Sequence, residues 1–177
     1  MANLNQINII NNFLTPDLQL EVLKALRAPG WSIGRLPVIV GDNRPPSKLW
    51  HLNGLERLPL FSETIFKIIC GQFNTNFTYK RIYANGQLAC QKGNIHQDDG
   101  DVTFLYYPLQ EWLPEWGGNL MFYDGQDVAR CVSYVPNRAI AFPAMLKHGA
   151  EAPSRDYPGM RVSIGFKLML PVSGVTA

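Results

Sequence analysis

The sequence predicts a mainly β fold with flanking α-helices, in which two N-terminal helices pack on one side of an eight-stranded double sheet. Three observations carry that expectation. Two apolar stripes at helical spacing lie before residue 76, short aromatic and β-branched segments separated by turns fill residues 77–170, and the composition suits one folded core. With 177 residues, 46% of them hydrophobic and 17% charged, the chain has the size and balance of a single domain rather than of a disordered segment.

The first helix is expected after Leu14-Thr15-Pro16-Asp17, where Thr15 can cap it, Pro16 suits its first turn and Asp17 complements its dipole. Leu18, Val22, Leu23 and Leu26 then recur at helical spacing until Ala28-Pro29-Gly30 ends the run. From Trp31 to Gly54 a loop-rich stretch is expected, because Gly34, Pro37, Gly41, Pro45 and Pro46 interrupt any period. A second helix is expected from about Leu60 to Phe73, with Phe61, Ile65, Phe66, Ile68 and Ile69 on its apolar side. Residues 1–76 thus form a helical and looped support, and residues 77–170 the β core. Its strands are expected at Phe77–Tyr83, Asn94–Asp98, Thr103–Pro108, Asn119–Tyr123, Arg130–Val135, Ala139–Pro143, Leu146–Ala150 and Arg161–Leu170. Periodicity alone leaves a jelly roll, a sandwich and a barrel open.

Several classes are disfavoured by charge and cysteine usage. Sixteen Lys+Arg against fourteen Asp+Glu leave a net charge of +2 without a basic run, which gives no footprint for nucleic acid. Cys70, Cys90 and Cys131 are an odd number without CxxC spacing, so neither a disulfide scaffold nor a structural zinc site is expected, and a reducing cytoplasm fits best. The first residues lack the pattern of a signal peptide, and no apolar stretch is long enough for a membrane-spanning helix. No membrane association is expected, and oligomeric state is left open.

The chemistry is concentrated in three places. In Asn94-Ile95-His96-Gln97-Asp98-Asp99, strand alternation points His96 and Asp98 to one face and Gln97 and Asp99 to the other. A His-x-Asp pair alone is common by chance, but His148 lies in a later strand that a jelly roll could return beside it. Two histidines and a carboxylate form the facial set of non-haem iron(II) oxygenases, with three coordination positions left for co-substrate and oxygen. In Arg161-Val162-Ser163-Ile164-Gly165-Phe166, Arg161 and Ser163 share one face and the apolar residues the other. An inward arginine needs an anion, and its planar fork matches a carboxylate.

From Lys80 to Lys167 the sequence resembles the Fe(II)/2-oxoglutarate-dependent oxygenase superfamily, in particular its prolyl-hydroxylase-like branch with small bacterial and phage members. The resemblance rests on His96-Gln97-Asp98, Thr103-Phe104-Leu105-Tyr106-Tyr107, Trp116-Gly117-Gly118-Asn119-Leu120, Pro136-Asn137-Arg138-Ala139-Ile140-Ala141-Phe142, His148 and Arg161-Val162-Ser163, in matching order and spacing. It implies a double-stranded β-helix, the cupin-like form of jelly roll. It also implies Fe(II) held by His96, Asp98 and His148, and 2-oxoglutarate anchored through its distal carboxylate by Arg161 and Tyr107, with Ser163 and Tyr83 as further contacts. Molecular oxygen is the oxidant it implies, with ascorbate as an accessory reductant. Because Asp98 is retained, where related halogenases carry a small residue, hydroxylation is favoured over halogenation. The implied substrate is a prolyl or other amino-acid side chain in a protein, peptide or free amino acid. A natural-product metabolite and a non-catalytic cupin-like ligand-binding module are the alternatives. Nucleic-acid demethylases of the superfamily carry a second arginine six residues after the first; here that position is Lys167. Trp31, Arg35, Trp50, Trp112 and Trp116 are expected in loops that could border the pocket. Asp99, Asp101 and Asp124 read as solvated or turn carboxylates, His51 as a residue without a ligand partner, and Cys90 as structural.

Overall fold

The computed structural model describes residues 4–35 and 48–171. Thr15 caps the first helix as expected: its side chain accepts from the Leu18 N–H, and Pro16 opens helix α1 (Pro16–Leu26). The second helical segment begins as a π-helical stretch over Leu60–Ile65 and continues as α2 (Phe66–Phe73), closed by Asn74 in the left-handed conformation. Apolar faces of both segments, through Val22, Leu26, Phe61, Ile65 and Ile69, pack on one side of the main sheet.

Ten strands are described: β1 (Asn8–Ile10), β2 (Ser32–Arg35), β3 (Lys48–Leu52), β4 (Thr78–Gln87), β5 (Val102–Tyr107), β6 (Leu120–Asp124), β7 (Asp127–Val132), β8 (Arg138–Pro143), β9 (His148–Ala150) and β10 (Arg161–Met169). They form a seven-stranded antiparallel sheet in the order β1-β8-β5-β10-β4-β3-β2 and a three-stranded sheet in the order β7-β6-β9. The expected loop between Trp31 and Gly54 therefore needs correction at both ends. Ser32–Arg35 and Lys48–Leu52 are too short and too mixed to show a period, and they become strands by extending the edge of β4. Pro37, Gly41, Pro45 and Pro46 lie outside the described residues. The expected strand Asn94–Asp98 is also corrected. It is one bridge, His96 with His148, because the chain turns away at Asp98, whose N–H goes to Ala144 O at 2.9 Å.

Strand alternation sorts the core into two layers. Ile82, Ala84, Phe104, Tyr106, Val162, Ile164, Phe166 and Leu168 face the helices. Leu105, Tyr107, Ile140 and Phe142 face the small sheet and meet Leu120, Phe122, Val132 and Tyr134. Between the sheets the polar residues gather. Among the described residues the buried polar side chains are Gln19, Gln87, Thr103, His148, Arg161, Ser163 and Lys167, and all but Gln19 line this inner space. Buried polar groups are the informative ones, since each must find a partner.

Candidate active site

β9 carries His148 beside the bridge that fixes His96: each residue's N–H donates to the other's carbonyl at 2.9 Å. Asp98 follows two residues later. One donor atom each from His96, Asp98 and His148 lies within 4.8 Å of the other two. His96 Nε2 is 3.3 Å from Asp98 Oδ1, and His148 Nε2 is 3.3 Å from Asp98 Oδ2.

The hydrogen bonds behind the rings decide where the protons are. His96 Nδ1 lies 2.8 Å from the Asn94 carbonyl oxygen and His148 Nδ1 lies 2.8 Å from the Leu146 carbonyl oxygen. A carbonyl only accepts, so each Nδ1 carries a proton, and each Nε2 is the ring nitrogen turned toward Asp98. Burial lowers His148 below the ordinary imidazole range, against the opposing pull of Asp98. Burial opposes ionisation of Asp98, but the imidazoles of His148 and His96 and the Lys167 ammonium outweigh it and hold the carboxyl well below the usual carboxylate range. Two imidazole Nε2 atoms and an ionised carboxylate thus converge. Carbonyl-bonded imidazoles with two nitrogens and one oxygen suit a ferrous ion.

The second half of the site is Arg161, 2% exposed at the start of β10. Its Nε donates to Gly118 O at 2.7 Å and its NH1 to Gln87 Oε1 at 2.8 Å. Both are neutral acceptors, and among the described residues no carboxylate forms an ion pair with it. The guanidinium carbon lies 5.3 Å from the Tyr107 ring and 5.0 Å from the Tyr134 ring, which stack on each other at 4.2 Å. Beside it, the Tyr107 hydroxyl is buried and, among the described residues, makes no well-formed hydrogen bond, with the Arg161 guanidinium as its charged neighbour. Burial raises its pKa despite Arg161, so the hydroxyl keeps its proton. A buried cation without a counter-anion and an unpaired hydroxyl together fit a carboxylate. Gly118 makes room for this arrangement. A Cβ there would stand 2.9 Å from Arg161 Cδ and 2.9 Å from Trp112 Cζ2, and its φ of +71° suits glycine.

Ser163 (6% exposed) lies on the same face of β10, opposite Asn85 on β4. Tyr83 is paired with Gly165, whose missing side chain lets the tyrosine ring lie across β10, and Lys167 Nζ sits 5.6 Å from that ring. The fold thus brings His96, Asp98, His148, Arg161, Tyr107, Ser163 and Tyr83 to one inner space. Sequence reasoning missed Gln87, Tyr134 and the Lys167–Asp98 ion pair; only the cross-strand register reveals Gln87 opposite Arg161.

The aromatic expectations divide. Trp112 packs on Tyr134 at 4.3 Å, and Trp116 meets Trp112 at 5.6 Å, so this pair forms a wall behind Arg161. Trp31 does not border the site: its Nε1 donates to Leu26 O and the ring packs on the helix-side core. Trp50 pairs with Gly86, which pairs with Val162, and alternation places it on the outer face. Arg35 ends β2, and its side chain lies outside the described residues. His51 bonds Asn85 Oδ1 at 2.8 Å and takes no part in the cluster. Asp99 is exposed and paired with Arg81 and Lys80. Arg138 braces the turn after Tyr134 by donating to Asn11 Oδ1 and Ser133 O.

The fold is the double-stranded β-helix found in 2-oxoglutarate oxygenases. A prolyl hydroxylase from Trichoplax adhaerens, solved with a hypoxia-inducible-factor peptide, superposes with a TM-score of 0.66 at 24% identity, over 94% of this chain and 84% of that one. A Pseudomonas putida prolyl-4-hydroxylase gives 0.64 at 14% identity, over 94% and 93% of the two chains. HygX from Streptomyces hygroscopicus, solved with nickel, 2-oxoglutarate and hygromycin B bound, gives 0.66 at 11% identity, over 93% and 83%. No family model and no curated protein matches the sequence.

Proposed function

We propose that this chain is a single-domain Fe(II)- and 2-oxoglutarate-dependent dioxygenase, with residues 1–76 as support and 77–170 as the catalytic core. The observation that carries the proposal is the placement, on one inner side of the main sheet, of the His96/Asp98/His148 cluster and a buried Arg161 that has no carboxylate partner among the described residues. In this reading His96, Asp98 and His148 hold iron, and Arg161 and Tyr107 anchor the distal carboxylate of 2-oxoglutarate. Ser163 and Tyr83 contact its remaining length. Iron with 2-oxoglutarate and oxygen supplies the oxidation that places a hydroxyl on an unactivated C–H bond and leaves succinate and carbon dioxide. The chain's residues orient the co-substrate, line the space between the sheets with Leu105, Ile140 and Phe142, and keep Asp98 ionised. A purely metal-binding module has no use for a buried arginine facing an unpaired hydroxyl.

The substrate class we propose is a prolyl or other amino-acid side chain, in a protein, a peptide or free. Likeness to two prolyl hydroxylases supports it. A natural-product metabolite is the second reading, supported by the likeness to HygX, whose structure holds hygromycin B. Three free thiols support a reducing compartment, the cytoplasm. No helix among the described residues is long and apolar enough to cross a membrane. The test is succinate formation from 2-oxoglutarate with iron and ascorbate, followed by mass spectrometry of peptides and metabolites for the addition of one oxygen atom. No iron-dependent turnover of 2-oxoglutarate with any substrate, together with no binding of 2-oxoglutarate, would overturn the assignment.

A further inference from the structure

Lys167 is 1% exposed, and its ammonium forms an ion pair with Asp98 Oδ2. The same oxygen accepts from Thr103 Oγ1 at 2.7 Å, and Lys167 Nζ also donates to Thr103 Oγ1 at 3.3 Å, closing a triangle of buried groups. Thr103 is fully buried and stands opposite Lys167 in the β5–β10 register. Asp98 Oδ1 receives neither of these donors. Each oxygen also lies 3.3 Å from an imidazole Nε2, Oδ1 from that of His96 and Oδ2 from that of His148. The two carboxylate oxygens are therefore unequal: Oδ2 alone is tied to Lys167 and Thr103.

A buried ammonium is expensive, and a buried ion pair adds little stability over apolar packing of the same volume. Its position at Asp98 is better explained by what it does to the carboxylate. We propose that Lys167, with Thr103, is a positioning residue that holds Oδ2 back and leaves Oδ1 as the single oxygen Asp98 offers to the metal. The inference rests on the function proposed above. A carboxylate free to turn can present both oxygens, and the second would take one of the three metal positions that 2-oxoglutarate and oxygen require. Lys167 thus protects co-substrate binding rather than metal binding.

The readouts are chosen to separate those two. Co(II) affinity and its visible absorption are measured on the full-length protein without 2-oxoglutarate, and 2-oxoglutarate is then titrated anaerobically into the Fe(II)-loaded protein, followed by the metal-to-ligand absorption band. In Lys167→Met, Co(II) should bind at least as tightly as in wild type, because a nearby positive charge is gone, with an altered Co(II) spectrum. Its 2-oxoglutarate affinity should weaken about tenfold or more, and Lys167→Arg should recover most of that loss. Thr103→Val keeps the ion pair and removes one donor to Oδ2, so it should weaken 2-oxoglutarate several-fold even if Lys167→Met does not fold. Unchanged 2-oxoglutarate affinity in these variants, or a parallel fall in cobalt and 2-oxoglutarate affinity, would overturn the positioning role while a wild-type band sustains the oxygenase reading. A wild-type protein with no such band overturns both.

Discussion

Replacing Tyr107 by Phe should make the protein more stable and a worse binder of its co-substrate. The ring is fully buried, stacked 4.2 Å from Tyr134, and can stay where it is without the hydroxyl. That hydroxyl makes no well-formed hydrogen bond among the described residues. A buried, unsatisfied polar group costs about 1–3 kcal/mol, so removing it should stabilise the fold by roughly 1 kcal/mol after the small cavity it leaves is counted. For a domain of this size that corresponds to a melting temperature about 2–4 °C higher. A hydrogen bond to a charged carboxylate contributes about 1.5–3 kcal/mol, so 2-oxoglutarate should bind about tenfold to a hundredfold more weakly. Thermal unfolding of the protein without ligand and anaerobic titration of the Fe(II)-loaded protein read the two effects separately. A less stable Tyr107→Phe with unchanged 2-oxoglutarate affinity would mean that the hydroxyl serves the fold, and would remove Tyr107 from the anchor.

Arg161→Lys keeps the charge but cannot hold Gly118 O and Gln87 Oε1 while presenting a second fork to a carboxylate, so 2-oxoglutarate affinity should fall about tenfold to a hundredfold. Equal affinity in titration would remove the co-substrate role. His96→Ala and His148→Ala should each abolish iron binding with near-native circular dichroism; retained iron in both would sink the cluster as a metal site. Asp98→Ala should eliminate hydroxylation, whereas Asp99, exposed and paired only with Lys80 and Arg81, should tolerate alanine with most activity kept and a stability change within about 1 kcal/mol. A reversed pattern in the activity assay would mean the wrong carboxylate is assigned. Gly118→Ala meets Arg161 and Trp112 at 2.9 Å and forces a left-handed alanine, which together should cost about 2–5 kcal/mol in urea unfolding. A near-neutral result would show that the Arg161 channel is looser than described.

The strongest local signals were legible without the fold. Thr15, Pro16 and Asp17 announce α1 because a cap is satisfied by atoms three residues away, and the alternation of Arg161, Val162, Ser163 and Ile164 announces a strand with one polar face. His96, Asp98, His148, Arg161 and Tyr107 were selected as residue types in a known order; the fold clusters the first three and sets Arg161 beside Tyr107. β1, β2 and β3 were not legible, because three to five residues hold too little pattern and their pairing joins them to a sheet built by later parts of the chain, as Asn85 pairs with His51. The same reason hid Trp50 on the outer face and Gln87 beneath Arg161. Lys167 was legible only as a departure from another subfamily's arginine; that its ammonium reaches Asp98, 69 positions earlier, depends on the β5–β10–β4 register. The sequence by itself determined which residue types are available and which face of each strand they occupy. Tertiary structure alone decided which of them are left without partners among the described residues: the Tyr107 hydroxyl, and Arg161 without a carboxylate. An unsatisfied group is defined by everything packed around it, and that packing comes from distant parts of the chain.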